Sequence, residues 1–553
     1  MKRIIDWAQK HRIAALIGFL FTVLSLGTAG TETTRINIRF ALMTEEMSGH
    51  ALGLFPTING HPYPDYPSLY NFLSYLTSCM GCWLNHWTLT LPTILLGCYV
   101  VAMTAAVGER LRRGIGFHAA LFSLLSYEYI NIFTAFSIDV PVAAAAVTIV
   151  WFLLKHDFGW RALPPYAARL ALAFIVRGPL GIIMCGAVTA SVLLGNRRWK
   201  MLPIYGVVGA AVAAALLALA YQAILRQGGE ELWHEVRRWQ VDSRLASGRP
   251  FYHYLLSTVI SFLPLTGFVI AALALKRREL LKPENAMTIL WALVPIALLS
   301  IPSCRHLRYL TPVLPAFALL AALGYADADG SVPGRILDGG VKVADKLALP
   351  AGILFIATAA VVSCFMPTRL EMLLPHLVIA LLLLAAIGRR LRRFTGRTWT
   401  LVRPALSFAV LIGIVMTAAD AMWECSSIFV RRVEEKRRGR LFLYLMSPDH
   451  DALKVMYNLP PERRREVISL YPVSRKRPPK LLDRMYPCRR PAEALPEIRP
   501  EDVVVLNYGR LKNLIKDAAA AGMTVVKIDE GRLGHRKSLA VKLLPSQDKK
   551  SSK

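Results

Sequence analysis

The chain has 553 residues, 54% hydrophobic and only 19% charged, with a mean hydropathy of +0.41. Soluble domains carry roughly a quarter charged residues, so a disordered chain is excluded and a soluble enzyme is disfavoured. Yet 66 Lys and Arg oppose 37 Asp and Glu, a net charge of +29. Such a balance suits nucleic acid, cytoplasmic loops or anionic lipid, and its placement along the chain decides among them.

The N-terminal stretch carries Lys2, Arg3, Lys10 and Arg12, and an apolar run follows to Gly30. With no small-x-small cleavage site after it, the run reads as an uncleaved first helix. Further apolar segments follow it. The predicted spans are 12–29, 88–107, 115–134, 138–155, 166–178, 180–195, 202–225, 255–275, 286–302, 308–325, 349–366, 372–388 and 401–422. About thirteen spans of this kind predict an α-helical polytopic membrane protein over 1–423.

Basic clusters set the orientation. Arg110-Leu-Arg-Arg113, the run from Lys155 to Arg161, Arg197-Arg198-Trp-Lys200, Lys276-Arg-Arg278 and Arg389-Arg-Leu-Arg-Arg393 fall on one side. The excess of Lys and Arg makes that side cytoplasmic, and the N-terminus with it. Two long loops are expected on the opposite side, at 31–87 and 225–253, and long loops of compact proteins commonly carry function.

Residues 424–553 differ in kind. A strand-like 502–506, a helical 511–521 and a strand-like 524–528 predict a small extracytoplasmic α/β domain. From Cys425 onward, 29 Lys and Arg oppose 15 Asp and Glu, a surplus of 14. The last residues, Gln547 to Lys553, read as a disordered tail. Cys79 and Cys82 form a single C-x-x-C without the second pair that a zinc site needs.

Carboxylates beside a membrane are costly unless paired or employed. Glu32, Asp65 and Asp139 fall on one face of the membrane, where one of them could serve as a general base. From spacing alone, helix capping is the simpler reading for Glu32 and Asp139. Arg177, Arg305 and Arg308 project to the same face, and clustered guanidinium groups suit a phosphate. Interfacial anchoring is the alternative for any single arginine.

The order of these features resembles the polytopic lipid-linked-sugar glycosyltransferases of the GT-C class, the aminoarabinose transferase and protein mannosyltransferase type. Their Asp-Glu-x-Arg motif after the first span is matched by Glu32-Thr-Thr-Arg35. A register one residue earlier puts Thr31 first and leaves Glu32 as the second acid. The next motif is matched by Gly60-His-Pro-Tyr63-Pro-Asp65-Tyr66-Pro67, in which Asp65-Tyr66 replaces a Glu-Lys pair. Asp139-Val-Pro141, Arg177-Gly-Pro179 and Ser303-Cys-Arg305-His-Leu-Arg308-Tyr309 follow in the family order.

The resemblance implies a glycosyltransferase moving a hexosyl or pentosyl group by inverting displacement. The donor is a sugar on a polyprenyl (undecaprenyl) phosphate, and the acceptor is lipid A of lipopolysaccharide or another anionic envelope lipid or glycan. It implies catalytic roles for Glu32 and Asp139. Arg177, Arg305, Arg308 and Tyr63 are implied as donor-phosphate ligands, and Arg35, Asp65 and Tyr66 as acceptor or loop-positioning residues. No cofactor or obligatory metal is implied, although a divalent ion beside Glu32 or Asp65 is compatible. The implied location is the bacterial inner membrane, with the basic C-terminal domain in the periplasm and no nucleic-acid partner. The competing readings are a lipid transporter or flippase, which would predict repeated halves, and a catalytically inactive binding relative.

Overall fold

The structure is a computed structural model. It describes residues 11–33, 36–49, 53–242, 250, 252–302, 306–365, 367–391, 393–423, 426–446, 448–471, 487–534 and 536–546. Each predicted apolar segment is helical over most of its described length. In chain order the helical region comprises α1 (Arg12–Thr28), α2 (Ile36–Glu46), α3 (Leu69–Thr77), α4 (His86–Leu111), α5 (Gly116–Leu124), α6 (Tyr127–Phe133), α7 (Val140–Lys155), α8 (Leu163–Arg177), α9 (Pro179–Gly195) and α10 (Leu202–Arg237). There follow α11 (His253–Ser261), α12 (Leu265–Leu275), α13 (Pro283–Ser300), α14 (Leu314–Ala326), α15 (Val332–Cys364), α16 (Pro367–Leu391), α17 (Arg397–Val410) and α18 (Thr417–Trp423). Among the described residues, seven helical segments are long and apolar enough to cross a membrane, and four apolar helices are shorter.

Two predicted spans are broken, and the breaks face each other. The 115–134 segment divides between α5 and α6, and the 255–275 segment between α11 and α12. Backbone freed at one break bonds backbone freed at the other: Leu265 N–H donates to Leu125 O at 2.9 Å, and Tyr127 N–H to Leu263 O at 3.2 Å. This cross-pairing lets irregular backbone sit inside a helical body, where unsatisfied amides are costly. At another crossing Gly27 of α1 meets Gly413 of the π-helical turn Leu411–Met416. A Cβ on Gly27 would lie 1.5 Å from Gly413 O.

The 31–87 segment is ordered by its own elements. It holds α2, the two-stranded hairpin β1 (Thr57–Ile58) and β2 (His61–Pro62), and α3. The turn Asn59–Gly60 has φ of 53° and 79°, the pattern of an Asn-Gly hairpin turn. The Glu46 carboxylate accepts from both turn amides, at 3.1 Å from Gly60 N.

The 225–253 segment differs from expectation. Helix α10 continues to Arg237 past a kink at Gly228–Gly229, and Arg238–Asp242 forms a π-helical turn. Its polar composition suggested a loop, but Glu230 to Arg237 contains no helix breaker, so the helix resumes after the glycine pair. Gln227 ties it to the first loop, donating to Phe55 O at 2.9 Å and accepting from Phe55 N at 3.1 Å.

After α18 come α19 (Ser427–Lys436), β3 (Leu441–Tyr444), α20 (Pro448–Tyr457), β4 (Val467–Leu470), β5 (Cys488–Arg489), α21 (Pro491–Ala494), β6 (Val503–Asn507), α22 (Leu511–Ala520), β7 (Met523–Leu533) and β8 (Arg536–Pro545). The sheet order is β5-β4-β3-β6-β8-β7, parallel among β5, β4, β3 and β6 and antiparallel thereafter. The predicted strand, helix and strand are β6, α22 and the start of β7. The tail expected from Gln547 lies outside the described residues.

One apolar cluster joins this region to the first loop. Phe40, Leu42, Met43, Tyr63 and Tyr66 pack in the same core as Val433, Leu443 and Met456. At the seam, Arg464 pairs with Glu45 at 3.0 Å.

Candidate active site

Local sequence explains how three helix ends converge. Gly178 has φ of +70°, a conformation that favours glycine, and Pro179 opens α9 where no amide hydrogen is needed. The chain therefore reverses immediately after Arg177, leaving that side chain at the end of α8. Asp139 stands directly before α7 and makes no capping hydrogen bond. Arg308 lies in the 3₁₀ turn Leu307–Val313 that leads into α14.

These residues meet. Arg177 Nε donates to Asp139 Oδ1 at 2.8 Å, and Arg308 Nε lies 3.5 Å from Asp139 Oδ2. Arg308 also donates through Nη2 to the Tyr66 hydroxyl at 2.8 Å. The Arg177 guanidinium lies 5.1 Å from the Tyr66 ring centre and 5.0 Å from that of Tyr309, within cation–π range. Asp139 thus orders two cations rather than capping a helix.

A third cation completes the group. Arg39, on α2, donates to the Tyr63 hydroxyl and lies 6.0 Å from the Tyr66 ring centre. The sequence reading did not single it out. Its signal was an arginine set in the apolar run Ile36-Asn-Ile-Arg-Phe-Ala-Leu-Met43, where a surface helix would show a polar face. Burial alone would lower the Arg39 pKa, but the Tyr63 and Tyr66 phenols and the Asp65 carboxylate outweigh it and raise the value. Burial raises the Tyr63 and Tyr66 phenols above their ordinary range. Each phenol accepts from a guanidinium and keeps its own proton to donate.

Several charged donors here lack a hydrogen-bond partner among the described residues: both Nη atoms of Arg177, Nε of Arg308 and Nε of Arg39. Buried donors of this kind are normally satisfied. An anion with several acceptor oxygens matches them chemically. Above them, Gln240 of the π-helical turn donates to the Pro64 and Asp65 carbonyls, each at 3.3 Å, and Trp239 lies 6.0 Å from Tyr63.

Glu32 stands at another place. Its carboxylate accepts from the Ser427 hydroxyl at the start of α19, and Thr33 meets the Tyr457 hydroxyl at 3.4 Å. These contacts put Glu32 at the seam with the C-terminal region. Arg35 and Arg305 lie outside the described residues. Counted back from Arg39 instead of Arg35, the Asp-Glu-x-Arg offset reaches Ile36 and Asn37. Asn37 is structural: its Oδ1 accepts from Phe136 N at 2.9 Å, and its Nδ2 meets His86 Nε2 at 3.2 Å.

No family model matches the chain. It is 27% identical over 326 residues to the undecaprenyl phosphate-alpha-4-amino-4-deoxy-L-arabinose arabinosyl transferase of Pseudomonas paraeruginosa, covering 54% of this chain and 55% of the relative. The enzyme of the same name from Serratia proteamaculans is 24% identical over 214 residues, covering 37% and 38%. The chain therefore spans about half the length of the curated relatives it matches. Among solved structures, ArnT from Cupriavidus metallidurans superposes with a TM-score of 0.70 at 16% identity, covering 96% of this chain and 98% of that one. The same protein bound to undecaprenyl phosphate gives the same values. The chain is thus an α-helical polytopic membrane protein with the GT-C fold of ArnT, and a relative in sequence of the aminoarabinose transferases.

Proposed function

We propose that the protein transfers a sugar from a polyprenyl-phosphate carrier to an acceptor at the membrane surface. The observation that carries this reading is the set of buried guanidinium N–H groups of Arg177, Arg308 and Arg39, without a hydrogen-bond acceptor among the described residues and grouped around Tyr63, Tyr66 and Tyr309. Arginine and phenol donors suit the phosphodiester of the bound donor. They suit the phosphomonoester that leaves even better, because charge grows on its oxygens as the anomeric C–O bond breaks. In the displacement, the acceptor oxygen or nitrogen forms the new bond to the anomeric carbon as that bond breaks. The acceptor proton passes to a carboxylate, and polyprenyl phosphate departs.

Among the carboxylates, Asp139 is held by two arginines and acts as a positioning residue. Asp65 is buried, and its charge acts on Arg39, Arg308, Tyr63 and Tyr66. We therefore move the general-base role from Glu32 to Asp65. Glu32, bonded to Ser427, instead orders the seam. The acceptor is an anionic envelope lipid or glycan such as lipid A, the donor sugar a pentose or hexose, and the location the inner membrane with the C-terminal domain outside the cytoplasm. No metal is required by this chemistry.

A second reading has one specific support: Ile36 and Asn37 occupy the acidic positions counted back from Arg39. That favours a relative that binds the lipid phosphate without transferring the sugar. Glycolipid mass spectrometry of membranes expressing the wild type, Asp65→Asn and Glu32→Gln separates the two. A sugar-mass increment lost in Asp65→Asn and kept in Glu32→Gln supports the assignment. The reverse pattern returns the base to Glu32. No increment in the wild type, with retained binding of polyprenyl phosphate, favours the binding reading.

A further inference from the structure

We infer that a groove between α15 and α16, remote in sequence from the arginine–tyrosine group, is a binding site for an anionic glycerophospholipid. The two helices cross at Leu349 and Gly388, where a Cβ on Gly388 would stand 2.9 Å from Leu349 Cδ2. A cavity opens on each side of this crossing. The larger, about 410 Å³, is walled by Leu349, Ile353, Leu381 and Ala385 and rimmed by Arg389 and Arg393. The smaller, about 180 Å³, includes Lys346, Asp345 and Arg403.

Only the smaller of the two cavities is lined by a carboxylate. In the smaller one, Arg403 is already engaged by Asp345, with Nε–Oδ1 at 2.6 Å and Nη2–Oδ2 at 2.5 Å. In the larger one, neither Arg389 nor Arg393 has an ion-pair partner among the described residues, and both are exposed. Its walls are aliphatic, and Ile353 and Leu381 are nearly half exposed on helices long and apolar enough to span a membrane. An aliphatic trough ending in two unneutralised guanidinium groups complements one acyl chain joined to a phosphate headgroup. Basic pockets between transmembrane helices recognise anionic lipids by this combination. Ordinary interfacial arginines need no trough, and an ordinary helix contact needs no paired cations.

The site shares no residue with the proposed transfer chemistry, so the inference stands apart from that reading. The test uses the full chain in nanodiscs of phosphatidylethanolamine with or without phosphatidylglycerol, followed by extraction and native mass spectrometry. Wild-type protein is expected to retain phosphatidylglycerol in preference to phosphatidylethanolamine. Arg389→Gln with Arg393→Gln, both outside the core, should bind it roughly thirtyfold more weakly, the effect of two interfacial charges. Gly388→Leu should abolish retention by filling the trough, whereas Arg335→Gln, an exposed arginine elsewhere on α15, should not change it. Equal retention of both lipids by the wild type, or undiminished phosphatidylglycerol in the double variant, overturns the inference and leaves annular lipid only.

Discussion

Arg177 and Asp139 meet Nε to Oδ1 at 2.8 Å with side chains only 1% and 4% exposed. The same carboxylate lies 3.5 Å from Arg308. One negative charge therefore orders two positive ones, and the pair leaves net positive charge beneath three phenols. Removing one partner of a buried pair leaves an uncompensated charge, which costs about 3–5 kcal/mol. Asp139→Ala should accordingly lower stability by that order in detergent melts. It should also disorder Arg177 and Arg308, weakening polyprenyl-phosphate binding in a direct binding assay. Asp139→Asn should retain more stability than Asp139→Ala while still losing affinity.

Arg39 gives a separate prediction. It donates to Tyr63 and lies within 6.0 Å of the Tyr66 ring centre. A lysine cannot reproduce a planar guanidinium that both stacks and donates. Arg39→Lys should raise the KM for a polyprenyl-phosphate sugar about tenfold or more, with a smaller effect on kcat. Arg39→Ala should be worse in both, read in a membrane-reconstituted transfer assay.

The C-terminal region should show an acid-labile lock. Burial would raise the pKa of Glu434, but hydrogen bonds from Arg437 at 2.7 Å and Arg463 at 3.0 Å hold it below its ordinary value. A depressed carboxylate contributes stability above its unfolded pKa of about 4.3. That stability is lost as pH falls through the folded value. Thermal melts followed from pH 7 downward should lose a contribution of about 1–2 kcal/mol. Glu434→Gln should remove this pH dependence and lower stability at neutral pH.

The crossing of α1 with the π-helical turn predicts intolerance to a single methyl group. A Cβ on Gly27 would meet Gly413 O at 1.5 Å, which only backbone movement relieves. Gly27→Ala should destabilise by roughly 1–3 kcal/mol, the usual range for overpacking. Gly18→Ala, on the same helix with open space around it, should be nearly neutral in the same melt.

The helical body was legible because long apolar runs leave few alternatives, and each predicted segment proved helical over most of its described length. The breaks at Leu125–Ser126 and Phe262–Pro264 were not, since their freed backbone is satisfied only by meeting in space. In the candidate site, Asp139, Arg177, Arg308, Tyr63 and Tyr66 could be named from the order of short motifs, and the structure groups them. Arg39 escaped because a lone arginine in an apolar run has no pairing visible in one dimension. Glu32 is read from its place after the first span and its offset from Arg35, neither of which reveals its bond to Ser427, far along the chain. In the same way β3 and β4 went unread. Each is four residues long, and each is buried by strands or helices distant in sequence.

The core that Phe40, Tyr63 and Tyr66 share with Val433, Leu443 and Met456 has a kinetic corollary. The first loop leaves the ribosome hundreds of residues before its packing partners exist. During synthesis Phe40, Tyr63 and Tyr66 should lack the Val433, Leu443 and Met456 side of their core until α19, β3 and α20 are made. Truncations before Ser427 should therefore insert their helices yet leave the first loop sensitive to protease.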